Sequence, residues 1–245
     1  MTPFPIHRFG EFSTLSQPQR ARIAALSDAP RLFPRRSLIR REGDPATCVW
    51  LLHDGWVGAA LDLPNAKRQL IKIHLPGDVL GSTSMCLVHA GDTLEALTDV
   101  HASPVPFAAL GQLYDEDPRL AAAAFTLSVQ KERLALMHRL AMIGRTSAYE
   151  RVAGLLLDLL ERGRVAGIVA GNAVACPLTQ EQIADVIGLT NVHVNRIVRR
   201  LNDDGLIDGT HGRFVVLDEP RLRALVPFQP RFVDNPAWPP AYRDG

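Results

Sequence analysis

Side chains with paired hydrogen-bonding groups crowd one face of a short predicted helix that starts near position 190. Val194, Ile197, Val198 and Leu201 recur at helical spacing, which predicts a buried apolar stripe. The remaining face carries amides, an imidazole and guanidinium groups and no acid: Asn191, His193, Asn195, Arg196, Arg199 and Arg200. Amide and guanidinium groups suit the edges of bases in the DNA major groove, which admits a helix of this kind.

The segment before this helix predicts another helix, joined to it by a tight turn. Thr179 can cap that earlier helix, because Gln182 stands three residues later, where the partner in a capping box belongs. Gly188 ends the apolar run, since glycine accepts the positive φ that follows many helices. Thr190 can then cap the next helix. Two helices joined in this way indicate a helix-turn-helix.

A short hairpin after the helix completes a winged helix-turn-helix and predicts binding to double-stranded DNA. Asp203-Asp204-Gly205 ends the helix, His211-Gly212 forms a turn, and residues 214–217 form the strand that follows. The formal net charge of the chain is only +1, so attraction to a polyanion needs a local basic patch. The candidates for that patch are Arg196, Arg199, Arg200 and Arg213.

Composition restricts the class of protein. The chain has 245 residues, of which 22% are charged and 47% are hydrophobic, as expected for a soluble globular chain of one or two domains. The first ten residues lack the apolar core of a signal peptide, and no apolar run is long enough to span a bilayer. The three cysteines are far apart, which disfavours a disulfide framework or a Cys-x-x-Cys metal site. We therefore expect a cytoplasmic protein with no membrane partner and no metal.

Short apolar runs between residues 31 and 110 alternate with turn residues. Turn signals at 42–45, 54–55 and 76–78 separate runs such as 49–52. Many short strands at regular spacing predict a double-stranded β-roll that is similar to a jelly roll. The predicted fold class is therefore α+β, with this roll at the N-terminus and the winged helix-turn-helix at the C-terminus.

A long helix is predicted between these two parts, because the sequence has neither glycine nor proline after Pro118 and up to about Ile143. Apolar residues in it repeat every seven residues, which is typical of a coiled-coil seam, and one polar seam residue helps to fix the register. The predicted seam consists of Leu127, Gln130, Leu134, Met137 and Ala141. We predict a homodimer through this seam. The alternative is a helix that packs on its own domain.

These elements divide the chain into predicted segments. The segments are 1–116 for an N-terminal helix and the roll, 117–144 for the dimerisation helix and a hinge, 145–226 for the winged helix-turn-helix, and 227–245 for a proline-rich tail. Within the third segment a helix is predicted at 148–160, followed by a glycine-rich connection up to residue 175.

Six short sequence stretches occur in an order that matches the pattern of a known protein family. They are Arg41-Glu42-Gly43-Asp44, Leu75-Pro76-Gly77-Asp78, Ala96-Leu97-Thr98-Asp99, residues 178–184, Gly188-Leu189-Thr190 and Val194-Asn195-Arg196. Their order and spacing resemble the Crp/Fnr family of bacterial transcription regulators, from about residue 9 to residue 225. The resemblance implies a homodimer on a near-palindromic DNA site, with two recognition helices in successive major grooves. It also implies a sensor role for the roll and RNA polymerase as a further partner.

The resemblance also implies contacts for the second helix of the motif. Family members usually read bases with a glutamate and, four residues later, an arginine. Arg196 matches that arginine and is expected to contact guanine O6 and N7, whereas Val192 replaces the glutamate and can contact a thymine methyl. Asn191, His193 and Asn195 are left to supply the other polar contacts. The candidates for phosphate contacts, which position the protein without specifying a sequence, are Thr179, Gln180, Thr190 and Arg199.

The effector pocket departs from the family pattern. Cyclic-nucleotide binders in the family carry Gly-Glu near the pocket and Arg-Ser for the cyclic phosphate. The residues at the matching places are Gly81, Ser82, Thr83, Ser84, Asp92 and Thr93. Because Asp92 takes the place of the phosphate-binding arginine, a bound phosphate would face a carboxylate in a pocket of low dielectric. We therefore expect no useful affinity for cyclic AMP, no cofactor, and an effector that the sequence does not identify.

Other functions stay open at this point. The family's oxygen sensors hold an iron–sulfur cluster with N-terminal cysteines, and this chain has none before Cys48. A haem- or redox-responsive sensor is one alternative, and its candidate residues are His53, His74, His89 and His101 or the thiols of Cys48 and Cys86. A metal enzyme on the roll has less support, because the histidines are scattered and form no His-x-His pair. A protein-docking winged helix is a third alternative, which weak salt dependence would distinguish from DNA binding.

Overall fold

A computed structural model describes residues 4–6, 15–26, 29–64, 67–125, 129, 131–210 and 212–227. The chain folds into two compact units, with the main division between Leu134 and Ala135. Leu127, Gln130, His211 and the tail after residue 227 lie outside the described residues, so the predictions made for them stay predictions. None of the helices in the described part is long and apolar enough to cross a membrane.

The N-terminal unit contains the predicted β-roll. In chain order its strands are β1 (Arg31–Phe33), β2 (Leu38–Arg40), β3 (Cys48–Asp54), β4 (Val57–Leu63), β5 (Lys67–His74), β6 (Val79–Leu80), β7 (Thr93–Ala96) and β8 (Val100–Pro106). One antiparallel sheet has the order β1-β8-β3-β6, and the other has the order β2-β7-β4-β5. The predicted turn at Asp54-Gly55 joins β3 to β4, where Gly55 has a φ of 88° that favours glycine.

Helices cover one face of the first sheet. They are α1 (Gln17–Ala25), α2 (Phe107–Glu116) and α3 (Pro118–Phe125). Leu110 of α2 packs on Val49, Leu51 and Val105 of the sheet. Helix α2 was not predicted, because the strand pattern was extended to about residue 110. The leucines of α2 follow helical spacing only over two turns, and their burial against the sheet decides the structure.

The predicted long helix at 117–144 is described as α3 and α4 (Lys131–Arg145), with residues 126–128 and 130 outside the description. The side chain of Asp117 accepts a hydrogen bond from the backbone N–H of Leu120 and caps α3. Pro118 stands at the first helical position, where its missing N–H costs nothing. A short 3-10 helix, Ser82–Ser84, follows β6 in the same unit.

The C-terminal unit begins with α5 (Ala148–Val165), which is capped reciprocally by Ser147 and Glu150. The prediction ended this helix at residue 160. It continues to Val165, and Gly163 near its end allows the chain that follows to pass close to the helix. A Cβ at Gly163 would lie 2.5 Å from Cγ2 of Val169. The predicted glycine-rich connection contains the short strands β9 (Val169–Ala170) and β10 (Ala173–Ala175).

The remaining elements form the predicted winged helix-turn-helix. They are α6 (Gln180–Ile187), α7 (Asn191–Asp203), β11 (Ile207–Thr210), β12 (Arg213–Val216) and α8 (Glu219–Ala224). Strands β11 and β12 pair as a hairpin, which confirms the predicted wing. Their sheet continues through β10 to β9, so the wing is anchored to the connection after α5.

Candidate nucleic-acid interface

Local hydrogen bonds fix the turn between α6 and α7 as the sequence predicted. Oγ1 of Thr179 accepts from the backbone N–H of Gln182 at 3.1 Å, and Oε1 of Gln182 accepts from the backbone N–H of Thr179 at 2.9 Å. Gly188 has a φ of 66°, in the left-handed region that glycine favours. Oγ1 of Thr190 accepts from the backbone N–H of His193 at 3.3 Å. These contacts set the direction in which α7 leaves the turn.

Arg151 on α5 holds the same turn from outside the motif. Its Nη1 donates to the carbonyl oxygens of Ile187 at 3.2 Å and Gly188 at 3.5 Å. The carbonyls at the end of a helix have no partner within the helix, and a guanidinium satisfies them well. Sequence analysis missed Arg151, because it lies 36 residues before Ile187 and no local pattern connects the two.

The exposed face of α7 carries the predicted base-contacting residues. Val194, Ile197 and Leu201 are buried, which confirms the predicted apolar stripe. Most of the predicted contact residues are exposed together, and Asn195 is half-buried beside them. The exposed ones are Asn191, Val192, His193, Arg196 and Arg199. Val192 is 80% exposed, so an apolar side chain stands open in the middle of a polar face.

The guanidinium groups near this face differ in how they are held. Within the described residues, Arg196, Arg199 and Arg213 form no ion pair, so their charges are available to a polyanion. Arg200 is engaged by its own unit. Its guanidinium lies 4.6 Å from the ring centroid of Tyr149, and its Nε lies 3.8 Å from Oδ2 of Asp204. Of the four arginines in the predicted patch, Arg200 is therefore engaged by Tyr149 and Asp204, and the other three form no ion pair among the described residues.

Tyr149 also ties the start of α5 to the end of α7. Its hydroxyl donates to Oδ2 of Asp204 at 2.5 Å. Burial, together with the hydrogen bond to the Asp204 carboxylate, raises the pKa of Tyr149 to about 12. The phenol therefore stays protonated at neutral pH and keeps donating this bond.

The wing is attached to α7 by Asn202. Its Oδ1 accepts from the backbone N–H of Gly209 at 2.9 Å, and its Nδ2 donates to the carbonyl of Gly209 at 3.4 Å. Arg213 starts β12 directly after Gly212, at the exposed tip of the hairpin. This arrangement presents Arg213 from the wing while α7 presents its own arginines.

Two acids and two arginines fasten α8 to α5 beneath the motif. Glu219 accepts from Nη2 of Arg164 at 2.7 Å and from Nη2 of Arg223 at 2.7 Å. Arg223 also forms an ion pair with Glu161. The hydrogen bond from Arg164 is the largest of the effects that lower the pKa of Glu219 to about 2, whereas burial raises the pKa of Glu161.

We expect Glu219→Gln to make the free energy of unfolding depend less on pH in the acid range. Because the folded pKa of Glu219 lies below its unfolded value of 4.5, its charge stabilises the fold above pH 4.5, and this contribution is lost as the pH falls towards 2. Glu161 acts in the opposite direction, since its pKa is raised. The variant should lose about 2 kcal/mol of unfolding free energy at pH 7 and much less at pH 3.

Urea unfolding followed by far-UV circular dichroism at both pH values measures this difference. Asp208→Asn removes an exposed acid from β11 and is the matched control, with an expected effect within 0.5 kcal/mol, about that of an ordinary surface change. An equal loss at pH 7 and pH 3 for Glu219→Gln would contradict the assignment.

The predicted pocket residues meet in the N-terminal unit around a buried ion pair. Asp92 is paired with Arg40, which sequence analysis did not consider for this site. The hydroxyl of Thr83 donates to Oδ1 of Asp92 at 3.0 Å, and that of Ser84 lies 3.4 Å from the same oxygen. The expected repulsion between Asp92 and a phosphate assumed an unneutralised carboxylate. The structure corrects that assumption, because the charge of Asp92 is matched by a guanidinium within the unit.

The Thr93 hydroxyl makes its hydrogen bonds with Glu42 and Asp62 and not with the Arg40–Asp92 pair. It accepts from the backbone N–H of Glu42 at 3.0 Å and lies 3.2 Å from Oδ2 of Asp62. Gly81 lies against Arg40, since a Cβ at this position would come within 2.6 Å of Nη1 of Arg40. Gly81, Thr83, Ser84 and Asp92 therefore form one cluster, with Ser82 and Thr93 at its edges.

The histidines and cysteines proposed for alternative sensors are dispersed. Nε2 of His53 lies 2.8 Å from the hydroxyl of Ser103, and Nδ1 of His74 lies 3.6 Å from Asp78. His89 is exposed. The three cysteines are free thiols, and burial raises the pKa of Cys48. Across the described ranges, no group of three or more histidines, cysteines or acids is placed to hold a metal ion.

Helix α4 contacts α5 and has an apolar face towards solvent. Met142 packs on α5, where a Cβ at Gly154 would lie 3.0 Å from its Cε. The exposed apolar face consists of Leu134, Leu136, Met137, Leu140 and Ile143. Of the predicted seam, Leu134 and Met137 belong to this face and Ala141 is half-buried. Leu136, Leu140 and Ile143 were not predicted, and their spacing of four and three places them on one side of the helix.

Fold and site together define a winged helix-turn-helix protein with an antiparallel β-roll at its N-terminus. Residues 150–225 match the model of the Crp-like helix-turn-helix domain, and residues 30–117 match that of the cyclic nucleotide-binding domain. The chain therefore belongs to the Crp/Fnr family of transcription regulators. Its DNA-binding motif is the one that sequence analysis identified.

Individual relatives agree with this assignment. The nitrogen fixation regulation protein FixK of Bradyrhizobium diazoefficiens is 32% identical over 194 residues, which cover 79% of this chain and 80% of the relative. The transcriptional activator protein anr of Pseudomonas aeruginosa is 25% identical, covering 80% of this chain and 79% of that protein. The solved structure of FixK2 from Bradyrhizobium japonicum shares the fold, with a TM-score of 0.75 and 24% identity over 83% of this chain and 98% of that one.

Proposed function

We propose that the chain acts as a homodimer that binds an inverted-repeat DNA site through α7 and the wing. The observation that carries the proposal is the exposed face of α7, where amides and unpaired guanidinium groups surround Val192. The face is acid-free, and Arg213 extends it from the wing. Such a surface attracts the phosphate backbone and offers donors to base edges.

The exposure and chemistry of the side chains support separate roles on the DNA. Arg196 is exposed at the first helical turns and is assigned to guanine O6 and N7, which a guanidinium contacts with two hydrogen bonds. Arg199 and Arg213 are assigned to phosphates, together with Thr179, Gln180 and Thr190 at the two helix starts. Asn191, His193 and Asn195 complete the base contacts.

The apolar face of α4 supports the proposed homodimer. A second copy of the same face would cover Leu136, Leu140 and Ile143, which are otherwise left in water. Two-fold symmetry places two recognition helices on one face of the DNA, so half-sites about 10 base pairs apart are expected. As a transcription regulator the protein is assigned to the cytoplasm with RNA polymerase as its protein partner, and no cofactor is required.

The first test is selection of bound DNA from a random library, at near-physiological salt and with no added small molecule. Enrichment of an inverted repeat with half-sites about one helical turn apart is the expected result. Binding should weaken steeply with salt, since each phosphate contact adds about −0.9 to the log–log slope. Failure to enrich any sequence, with and without cell extract, would overturn the proposal. Binding to a protein with little salt dependence would support the docking alternative.

We expect Val192→Glu to change which base is selected at one position of each half-site. A carboxylate accepts a hydrogen bond from cytosine N4, whereas valine contacts the thymine methyl, and a good pair discriminates by about 1–3 kcal/mol. Selection on the variant should therefore replace thymine with cytosine at that position. Val192→Ala is the matched control, and it should weaken affinity slightly without a new preference. An unchanged selected sequence for Val192→Glu would show that this residue does not face the bases.

A further inference from the structure

The ion pair between Arg40 and Asp92 is deeply buried in the N-terminal unit. The side chains of Arg40 and Asp92 are only 7% and 6% exposed. Arg40 ends β2, and Asp92 directly precedes β7, which pairs with β2 in the sheet. Because a buried charge is costly unless it is matched, each of these two groups offsets the cost of burying the other.

The surrounding residues are built around this pair. Two hydroxyls, from Thr83 and Ser84, approach the same carboxylate oxygen that Arg40 contacts. The backbone N–H of Gly91 donates to the hydroxyl of Ser84 at 3.1 Å and orients it. Gly81 has a φ of 76° and lies so close to Nη1 of Arg40 that any side chain would displace the guanidinium. The absence of a side chain at Gly81 therefore leaves the space that the Arg40 guanidinium occupies.

Not all nitrogen atoms of the Arg40 guanidinium take part in hydrogen bonds. In the part of the chain that the structure describes, Nε and Nη1 of Arg40 are buried and have no hydrogen-bond partner. The positive charge is thus balanced by one carboxylate through Nη2. A buried guanidinium of this kind can bind an anion, and here the anion is the carboxylate of Asp92.

We propose that Asp92 is a built-in anion that occupies the anion site of the cyclic nucleotide-binding domain, so that this domain is complete without a phosphate-bearing ligand. A phosphate at Nε and Nη1 would share a guanidinium whose charge Asp92 already balances, and an added buried charge is costly unless it is matched. The DNA part of the inference rests on the proposed function: DNA binding should be independent of cyclic nucleotides.

The cluster is also connected to the first turn of α4 by a hydrogen bond. The hydroxyl of Ser82 lies 3.3 Å from Oε2 of Glu132, which stands one residue after the start of α4. Ser82 belongs to the same short 3-10 helix as Thr83 and Ser84. The short 3-10 helix that contacts the Asp92 carboxylate is therefore hydrogen-bonded to the first turn of α4.

Removal of the internal anion should expose the site to a small external one. Asp92→Ala leaves the buried guanidinium unpaired, and the midpoint of thermal unfolding should fall by roughly 10 °C. Sodium formate, titrated against sodium chloride at constant ionic strength, should restore about half of that loss, because an anion that binds only the folded state raises its stability. Wild-type protein should show no such response.

Further variants separate the effect of the Asp92 charge from the effect of its side-chain volume on thermal unfolding. Asp92→Asn removes the charge but keeps the place of the carboxylate filled, so it should show a smaller loss and little formate response. Asp92→Ser, which also leaves room for a small anion, replaces Asp92→Ala if that protein does not fold. Arg40→Met/Asp92→Leu removes both charges and should be more stable than Asp92→Ala and indifferent to formate, since apolar residues replace a buried pair well. A folded Asp92→Ala or Asp92→Ser protein whose thermal midpoint does not respond to formate would overturn the proposal.

Calorimetry with cyclic AMP on the wild-type full chain is the complementary measurement. No detectable binding, and equal DNA affinity with and without the nucleotide, are expected. Micromolar binding of cyclic AMP, or DNA binding that needs it, would overturn the inference. Absence of DNA binding under every condition would instead refute the proposed function, and the formate experiment, which uses the protein alone, would still decide whether Asp92 is the internal anion.

Discussion

Leu140→Glu is expected to convert the protein to a monomer and to lower its affinity for a full inverted repeat by at least about 100-fold. Leu140 is a 62% exposed leucine of α4 and lies between Leu136 and Ile143 on the exposed face. In a symmetric dimer each glutamate would be taken out of water opposite the same face of the second copy. Loss of the dimer removes the gain of linked half-site binding, which amounts to about 10²–10⁴.

Sedimentation equilibrium and binding to full-site and half-site DNA measure the two consequences separately. Leu134→Glu, within the predicted seam, should also break the dimer. Leu32→Glu is the matched control, because Leu32 is a 58% exposed leucine on β1, and it should change neither mass nor affinity. A dimer that survives Leu140→Glu and Leu134→Glu would refute α4 as the interface. Affinity for a single half-site should stay within threefold of wild type, about the variation expected of an ordinary surface change.

Arg196→Ala is expected to reduce affinity for the selected site by about 5–150-fold while affecting random DNA much less. This range corresponds to the 1–3 kcal/mol of a bidentate contact between a guanidinium and guanine. The side chain is exposed on α7 and forms no ion pair among the described residues, so its loss leaves the fold intact. Selection on the variant should relax one base position in each half-site.

Two other arginines of α7 provide the comparison. Arg199→Ala should weaken binding to all sequences alike and reduce the salt slope by about 1, as a phosphate contact would. Arg200→Ala should have little effect on the salt slope, because Tyr149 and Asp204 hold that guanidinium within its own unit. Equal losses on selected and random DNA for Arg196→Ala would reassign Arg196 to a phosphate.

The sequence by itself determined the local features of the DNA-binding motif. Thr179 with Gln182, Thr190 and the positive φ of Gly188 were all recognisable, because a cap or a turn is made by residues three or four positions apart. The buried stripe of Val194, Ile197 and Leu201 was recognisable for the same reason, since helical periodicity is written in the spacing.

Only the tertiary structure decided which distant residues support these features. Arg151 reaches the turn after Ile187, Glu219 joins two arginines between α5 and α8, and Arg40 neutralises Asp92 from 52 residues away. The exposed face of α4 includes Leu134 and Met137 of the predicted seam and extends to Leu136, Leu140 and Ile143, on a side of the helix that the heptad did not predict. Capping and periodicity depend on neighbours in the chain, whereas ion pairing and burial depend on which segments the folded core brings together.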